Sequence, residues 1–517
     1  MTNQQIYFSS SKIPLRYRYL IKRRLENPIT DNTEMVLDGD FTSATNWTCG
    51  TNITVSTSNQ KAVFSYANDT SLTQQISAVS PSTWYRVEFD VFEYQQGNLA
   101  VKIGDESTEK VITLQAGHFG INVRAKGDKT LYLTGKDFAG SIKNVSCKKL
   151  YFYENDWQDV TEYSNDKTLA GINHSLDYKS WEFGEITQDN ASLKFLNTHG
   201  EMSDEDNENS IFFNGYLRHY SKIKIQCSFD KTNYDTIFEG LLDDRSASTS
   251  VSSTQPVIEN ISAYSYTKLF SDVTLDEIGT LSGTKINSIV TEIVNRGYFT
   301  DYFNFDEDLV SAGYNANIDV SEYDQSDTVM DVLSDLAQGH SVFYIDNDGY
   351  FNFKKVEANT GIKAVLDSAP ERKVQVYDYK TGSERIIEKF YWEDSTEKFE
   401  SSLNKYNTSE TVNIKGVTET ADRQAILDFL GAKFGIKRIS CKIDLPLCPF
   451  LQVMDKVKIE HVGATYNCFV LDKSQLDIGT LTPPTSAIQI GADTTFIIYE
   501  VKHSQKKTTI LVLEEIL

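Results

Sequence analysis

The chain opens with alternating apolar and basic positions, the pattern of a half-buried β-strand. Apolar side chains at every second position share one face of such a strand, and here they are Leu15, Tyr17, Tyr19 and Ile21. The alternation stops at Asn27 and Pro28, which end the predicted strand. A similar strand-like sequence pattern returns at 150–161. One discontinuous β domain is therefore predicted from residues 1–33 and 150–255.

The residues between these two segments have a different character. From Asp31 the alternation of apolar and basic residues is lost, and short apolar runs alternate with Ser, Thr, Asn and Gly. A chain that leaves a sheet and returns about 120 residues later has most simply received a domain at a loop tip. Residues 34–149 are therefore predicted to form an inserted β-sandwich, a recognition module carried by the surrounding scaffold.

The hydrophobic period changes to that of a helix between residues 256 and 375. One predicted helical face carries Ile286, Ile289, Val290, Ile293 and Val294. Thr284 is its predicted N-cap and Gly297 its end. A second helix is predicted over 326–338 from the stripe Val329, Leu333, Leu336 and Ala337. A hairpin with its turn at 346–349 follows.

Residues 376–517 return to β structure with one helix. Extended segments are predicted at 385–392, 437–444, 453–460, 466–472, 495–502 and 508–514. The helix is predicted near 421–435, from a stripe of Ala425, Ile426, Phe429, Leu430 and Phe434. This content is typical of a small barrel with one helix packed on its wall. The predicted fold class is mainly β with a minor α+β part.

Composition and charge narrow the function classes. With 517 residues and 40% hydrophobic content, the chain can bury several cores. Its 50 basic and 73 acidic residues give a net charge of −23. That charge argues against tight nucleic-acid binding, because phosphates need a basic surface. The basic segment 12–24 lacks a following apolar region, and no run approaches the length of a membrane span. A soluble protein without membrane insertion is expected.

Neither a metal nor a cofactor is predicted. The six cysteines lack CxxC spacing. Cys49 and Cys147 lie near the two ends of the insert and either meet there or remain reduced thiols. Carboxylates at 201–208 and in the turn at 346–349 are of the type that binds calcium. A solvated loop and a hairpin turn, respectively, explain them without a metal.

No motif with a catalytic mechanism is present. The seven histidines form no HExxH sequence, and no serine lies in GxSxG. Acidic pairs are plentiful, but a chain this acidic offers them by chance. The protein is therefore predicted not to be an enzyme.

Several segments together resemble the hub proteins of phage tails and baseplates. They are Trp157 to Thr161, Leu193 to Asn197, Ile237 to Gly240, and the hairpin that ends in Asp348 and Gly349. In the last third, 453–459 is similar to a strand of that family's second barrel, with Met454 where glycine is usual. The resemblance covers 1–33 and 150–517. It implies two tail-tube-like β-barrels with an α+β region between them, the second barrel falling within 376–517.

This resemblance implies a homotrimer whose paired barrels form a ring through which the genome passes. The implied partners are the tail tube or distal tail protein ring, the tape measure protein, and tail tip, spike or fibre proteins. The implied location is the virion, after synthesis in the host cytoplasm. An acidic lumen would repel DNA phosphates, so that the genome slides. The open alternatives are the hub of a non-viral contractile injection system and a cell-surface adhesin.

The inserted segment resembles carbohydrate-binding-like jelly-roll modules. The resemblance rests on residues 37–47, 84–91 and 142–152. Four aromatic residues are predicted to pack between its two sheets, namely Phe41, Trp47, Tyr85 and Phe89. Trp84 and Tyr94 are the candidate ligand-binding residues, as an exposed stacking platform. The module is expected to contact either a host surface glycan or a neighbouring protein.

Overall fold

The computed structural model is mainly β with a minor helical part. It describes residues 16–76, 83–105, 107, 109–113, 115–126, 128–165, 167–176, 186–228, 230, 232–251, 256–296, 298–356, 361–367, 375–380, 386–402, 405, 407–436, 439–446, 448–460, 494–504 and 507–514. None of the helices in these ranges is long and apolar enough to cross a membrane. Buried side chains form three cores: one in the insert, one in the first barrel, and one shared by the middle region and the second barrel.

The first strand, β1 (Arg16–Thr30), continues through Asn27 and Pro28, where the sequence predicted its end. The returning end of the inserted segment supplies the partner, because Ile29 pairs with Tyr151. Pro28 has no N–H to donate, and it lies within the register shift of this pairing. The distant partner thus extends a strand that local sequence would interrupt.

The inserted segment forms a sandwich, to which its described residues contribute eight strands: β2 (Thr48–Cys49), β3 (Ile53–Ser56), β4 (Lys61–Ala67), β5 (Thr70–Gln75), β6 (Trp84–Ile103), β7 (Lys110–Thr113), β8 (Gly117–Arg124) and β9 (Thr130–Tyr153). The long strands β6 and β9 pair with each other, with register shifts near 92–98. One half of this pair adds β8, β4 and β3, and the other adds β7, β5 and β2. Both halves contribute to one core, which includes the predicted aromatics Phe41, Trp47, Tyr85 and Phe89.

Among the described residues, the sheet predicted to form the first barrel contains β1 and six further strands: β10 (Gln158–Asp159), β11 (Leu169–Leu176), β12 (Ile186–Leu196), β13 (Tyr216–Ser228), β14 (Asp235–Ser250) and β15 (Ile258–Ser265). Their order is β10-β1-β13-β14-β15-β12-β11. The sheet wraps around a core that takes side chains from every strand except β10. Tyr19 and Ile21 lie in that core as predicted, whereas Tyr17 is only half-buried.

In the middle region the described residues form four α-helices and a small sheet: α1 (Lys268–Asp272), α2 (Leu275–Ile278), α3 (Ile286–Arg296), α4 (Val329–Ala337), β16 (Val310–Ser311), β17 (Ser341–Ile345) and β18 (Phe351–Lys355). The five aliphatic residues predicted to face inward on α3 are all fully buried, which confirms that helix. Its predicted end, Gly297, lies outside the described residues. Helix α4 starts later than 326, because Thr328 caps it in a reciprocal capping box with Asp331.

The described residues of the last third form one helix and nine strands: β19 (Ile362–Asp367), β20 (Gln375–Lys380), β21 (Lys389–Trp392), β22 (Lys398–Glu400), β23 (Ser409–Val412), α5 (Thr420–Phe434), β24 (Ser440–Pro446), β25 (Lys456–Glu460), β26 (Thr495–Ser504) and β27 (Lys507–Glu514). The sheet predicted to form the second barrel has the order β20-β24-β27-β26-β25-β19 in the part of the chain that the structure describes. Its sheet thus begins before residue 376, since β19 pairs with β25. The strand predicted at 466–472 lies outside the described residues.

Helix α5 packs against a separate small sheet. The sequence had predicted that it would pack on the wall of the second barrel. That sheet has the order β22-β21-β23, and α5 contacts β21 and β22. Gly431 allows the close approach, because a Cβ there would lie 2.3 Å from the Phe399 ring. Leu427 is buried, whereas the predicted stripe residues Ala425 and Phe429 are half-buried.

Candidate functional site at the seam between the barrels

The two barrels are joined edge to edge within the chain. Strand β11 of the first barrel pairs in antiparallel fashion with β26 of the second. The register places Ile172 opposite His503 and Ser175 opposite Glu500. The backbone hydrogen bonds of this seam make the two curved sheets one continuous sheet, so the relative orientation of the barrels is determined by main-chain geometry.

A largely buried ion pair lies beside the seam. His174 Nδ1 is 3.0 Å from Asp189 Oδ2, and His174 Nε2 is 3.0 Å from the carbonyl oxygen of Ile237. While the Asp189 carboxylate is ionised, both partners only accept, so both ring nitrogens donate and the ring is an imidazolium. Burial alone would lower the pKa of His174, but the Asp189 carboxylate and the Ile237 carbonyl outweigh it and raise the pKa. The pair ties β11, β12 and β14 together.

A second histidine faces this pair from the other barrel and is neutral. The ring of His503 on β26 lies 6.3 Å from that of His174. Burial, together with the positive charge of His174, lowers the pKa of His503 to about 3. Its Nδ1 lies 3.0 Å from the hydroxyl of Thr508, which also accepts the backbone N–H of Cys448. A charged and a neutral histidine thus meet across the seam.

A cleft of about 360 Å³ lies along the seam. Asn190, Asn173, Lys502 and Thr509 form one cross-strand row over four strands in this cleft. Lys502 pairs with Glu500 at 2.5 Å. The cleft has the hydrogen-bonding groups of an intermolecular contact, but its cations are already neutralised.

A lysine in an aromatic cage holds the neck of the insert, which is the place where its two ends, near Asp31 and Tyr153, meet the first barrel. The Nζ of Lys222 lies 4.7 Å from the ring of Tyr153, 5.7 Å from Tyr266 and 4.8 Å from Tyr302. It also donates to the carbonyl oxygen of Asp301 at 2.5 Å. Burial lowers the pKa of Lys222 to about 8. The cage joins the end of β9 to the first barrel and to the middle region.

The two ends of the insert lie side by side. The amide of Asp31 donates to the carbonyl of Lys149 at 2.8 Å. Beyond this neck the insert touches the middle region through polar contacts. Arg124 lies 3.7 Å from Glu277, and the Nζ of Lys149 lies 3.1 Å from Asp301.

The candidate ligand residues Trp84 and Tyr94 occupy different surroundings on β6. Trp84 is half-buried and lies opposite Arg124 of β8. Tyr94 stacks on Phe138 of the insert core, and its hydroxyl donates to the carbonyl of Gly97 at 3.2 Å. The two therefore do not form one platform, and the ligand role of each stays a prediction.

In each acidic segment considered for calcium, one carboxylate accepts hydrogen bonds from nearby backbone amides. The Asp346 carboxylate accepts from the amides of Asp348 and Tyr350, and Gly349 has a φ of +78°, as the hairpin turn requires. In the other segment, Glu201 accepts from the amide of His199. Cys49 is exposed, Cys147 is buried, and both thiols are free.

Charge is distributed unevenly along the chain. Residues 34–149 contain 11 basic and 12 acidic residues, a net charge of −1. The remainder contains 39 basic and 61 acidic residues, a net charge of −22. The insert is thus nearly neutral on a strongly acidic scaffold.

Sequence reasoning missed the seam and its histidines. Neither His174 nor His503 lies in a recognisable motif, and β11 and β26 lie in separate predicted domains. Their only local signal is an ordinary alternation of apolar and polar residues.

No protein-family model matches the chain, and no curated protein matches it. Among solved structures, the chain is similar to a tail protein from Neisseria meningitidis MC58, with 10% identity over 70% of this chain and 94% of that one and a TM-score of 0.43. It is also similar to a 43 kDa tail protein of prophage MuSo2 from Shewanella oneidensis, with 12% identity over 69% and 93% of the chains and a TM-score of 0.39. A third similar structure is an E. coli component of the type VI secretion system, with 9% identity over 67% and 73% of the chains and a TM-score of 0.36.

Proposed function

We propose that this protein is a structural hub of a phage tail, which joins the tail tube to the tail tip and leaves a passage for the genome. The observation that carries the proposal is the seam between β11 and β26. A subunit with two barrels joined in one sheet is the repeating unit of a ring in which three copies present six barrels. Such a ring matches a six-fold tube on one side and a three-fold tip on the other.

The charge distribution supports a role in genome passage. The scaffold outside the insert has a net charge of −22. Three copies would surround the axis with acidic groups, which repel DNA phosphates and prevent the genome from adhering. The proposed partners of the scaffold are two further copies of the chain, the tail tube or distal tail ring, the tape measure protein and the tip or spike.

The insert serves in this proposal as a contact module for a host glycan or a neighbouring tail protein. Its separate core and its two adjacent ends support a module that is carried by the scaffold without being part of it. The hub of a non-viral contractile injection system is the second candidate function. The seam supports it equally, since it too requires paired barrels in a ring.

The trimer is the part of the proposal that is simplest to test. Light scattering with size-exclusion chromatography should give about 175 kDa, three times the 58.5 kDa chain. Cryo-electron microscopy of particles containing the chain should place it in a three-fold ring at the end of the tube. A stable monomer at high concentration, together with particles whose tip ring lacks the chain, would refute the hub function.

A further inference from the structure

The neck of the insert contains a bend between two short ladders. Strands β1 and β9 pair on both sides of it, because Arg24 lies opposite Tyr153 and Ile29 lies opposite Tyr151. Residues 25–28 of β1 lie between these two pairings, against a single residue of β9. A mismatch of this size interrupts the ladder and bends the strand pair.

The ladder below the bend belongs to the first barrel. Leu25 pairs with Tyr216 of β13, and the amide of Glu26 donates to the carbonyl of Gly215 at 3.0 Å. On β9, Tyr153 is held in the cage of the lysine described above. The chain is thus anchored to the barrel up to Glu26 on one strand and from Tyr153 on the other.

The ladder above the bend belongs to the insert, where β9 also pairs with β6. Asn27 and Pro28 on β1, and Phe152 on β9, are the residues that connect the two ladders. Asn27 is exposed, and the other two are half-buried. Hinges in proteins consist of a few such residues at the ends of elements. We call these three residues the hinge.

The insert is not packed tightly on the middle region. Alternate residues of β9 share a face, and Lys149 and Tyr153 direct that face at residues 301–302. Tyr151 lies on the same face and is still 39% exposed, and its cross-strand partner Ile29 is 46% exposed. Water therefore reaches the space between the insert and the middle region, whose apolar cores are separate.

Three cations of the insert hold it against the middle region. Each makes one contact: Arg124 with the carboxylate of Glu277 at 3.7 Å, Lys149 with that of Asp301 at 3.1 Å, and Lys126 with the carbonyl oxygen of Asp276. We call this group the latch. Both of its carboxylates are partly exposed. Ion pairs of this kind contribute little stability and are screened by salt.

We propose that the insert is a hinged arm, which swings about Asn27, Pro28 and Phe152 between a latched and an open position. In the latched position the three cations contact the middle region, and in the open position these contacts are broken while the neck stays attached. A weak latch leaves both positions populated. Opening moves the far end of the insert away from the scaffold and so changes where the module presents its surface. The hinge and the latch lie within one chain and are independent of the hub function.

Pulsed electron spin resonance on the full-length chain tests this motion. One spin label is placed at N68C, an exposed position in the β4–β5 turn away from the neck, and the other at S326C, an exposed position in the middle region. Cys49, which is exposed, and Cys468, which lies outside the described residues, are first replaced by serine, and the other four cysteines are buried. Co-assembly with a large excess of unlabelled chain leaves one labelled pair in each particle.

The shorter, latched distance should dominate at about 0.1 M NaCl, and a longer distance should gain population at about 1 M, where the Debye length falls from about 10 Å to about 3 Å. R124Q/K149Q removes two cations of the latch and should raise the ratio of open to latched chains at least about twofold at the lower salt concentration. The matched control, K143Q/K148Q, removes two lysines from the outer face of β9, opposite Asp90 and Arg86. It should leave the ratio unchanged.

The wild-type salt series needs no substitution in the latch, so it holds even where a variant folds poorly. A single distance at every salt concentration, or an unchanged ratio in R124Q/K149Q, would overturn the inference and make the insert a rigid extension of the first barrel. An equal rise in K143Q/K148Q would also overturn it. A monomer with two distances retains the hinge and loses the hub function, and a trimer with one fixed distance does the reverse.

Discussion

Replacement of Asp189 by asparagine tests whether the buried ion pair stabilises the seam. The substitution keeps the shape of the side chain but removes the negative charge that faces His174 at 3.0 Å. Removing one partner of a buried ion pair costs about 3–5 kcal/mol. The asparagine oxygen can still accept a hydrogen bond from His174, so we expect a loss near the lower limit, about 3 kcal/mol at low pH.

The pH dependence distinguishes this ion pair from ordinary packing. The folded-state pKa of His174 is raised above its ordinary 6.5, because Asp189 and the Ile237 carbonyl outweigh the effect of burial. A raised pKa stabilises the fold fully below pH 6.5, and this stabilisation is lost as the pH rises through the folded-state value. The difference in unfolding free energy between wild type and D189N should therefore be largest near about pH 5.5 and shrink toward about pH 9.

Hydrogen exchange of the peptides covering β11 and β26, read by mass spectrometry at each pH, measures this local stability. E400Q is the matched control, because Glu400 pairs with Lys398 and both side chains are about half exposed, at 46% and 54%. It should change stability by at most about 1 kcal/mol, without pH dependence near neutrality. Equal protection in wild type and D189N at every pH, or a difference that grows with pH, would refute the reasoning.

Burial lowers the pKa of Lys222 to about 8, so the folded chain releases this proton before the unfolded chain does. The free energy of unfolding should rise from about pH 8 to about pH 10.4. K222M should lack this rise in thermal melts run in parallel with the wild type. An identical pH slope in K222M would contradict the assignment. Met454 is fully buried with a φ of +66°, so M454A should cost about 2–5 kcal/mol. M454G should be about 1 kcal/mol more stable than M454A, because glycine accepts the left-handed backbone freely, and chemical denaturation that ranks the two in the opposite order would contradict this. Replacing 34–149 with a short Gly/Ser linker should leave the remaining fold intact, because the ends of the insert are hydrogen-bonded to each other and loop closure changes by only about 1 kcal/mol. Loss of cooperative melting in this deletion, or an unstructured isolated insert by circular dichroism, would show that the segment belongs to the first barrel.

Local patterns determined the elements that bury one face within a short stretch of chain. The five aliphatic residues of α3 recur at helical spacing, and all five are buried. The turn at 346–349 carries its own signal, since an Asp that accepts nearby amides and a Gly at positive φ are local requirements. The aromatic core of the insert was predictable for a similar reason, because Tyr85 and Phe89 alternate with polar neighbours on one strand.

Tertiary structure decided which elements meet. Strand β1 runs past Pro28 because β9 returns beside it, and β19 joins β25 across more than ninety residues. The seam places Ile172 opposite His503, although the sequence of neither strand predicts this pairing. Apolar periodicity specifies the buried face of a strand, but the backbone N–H and C=O groups that pair its edges are the same in every residue other than proline. Edge partners are therefore selected by the assembled cores, and the pairing of the two barrels is a property of the whole fold.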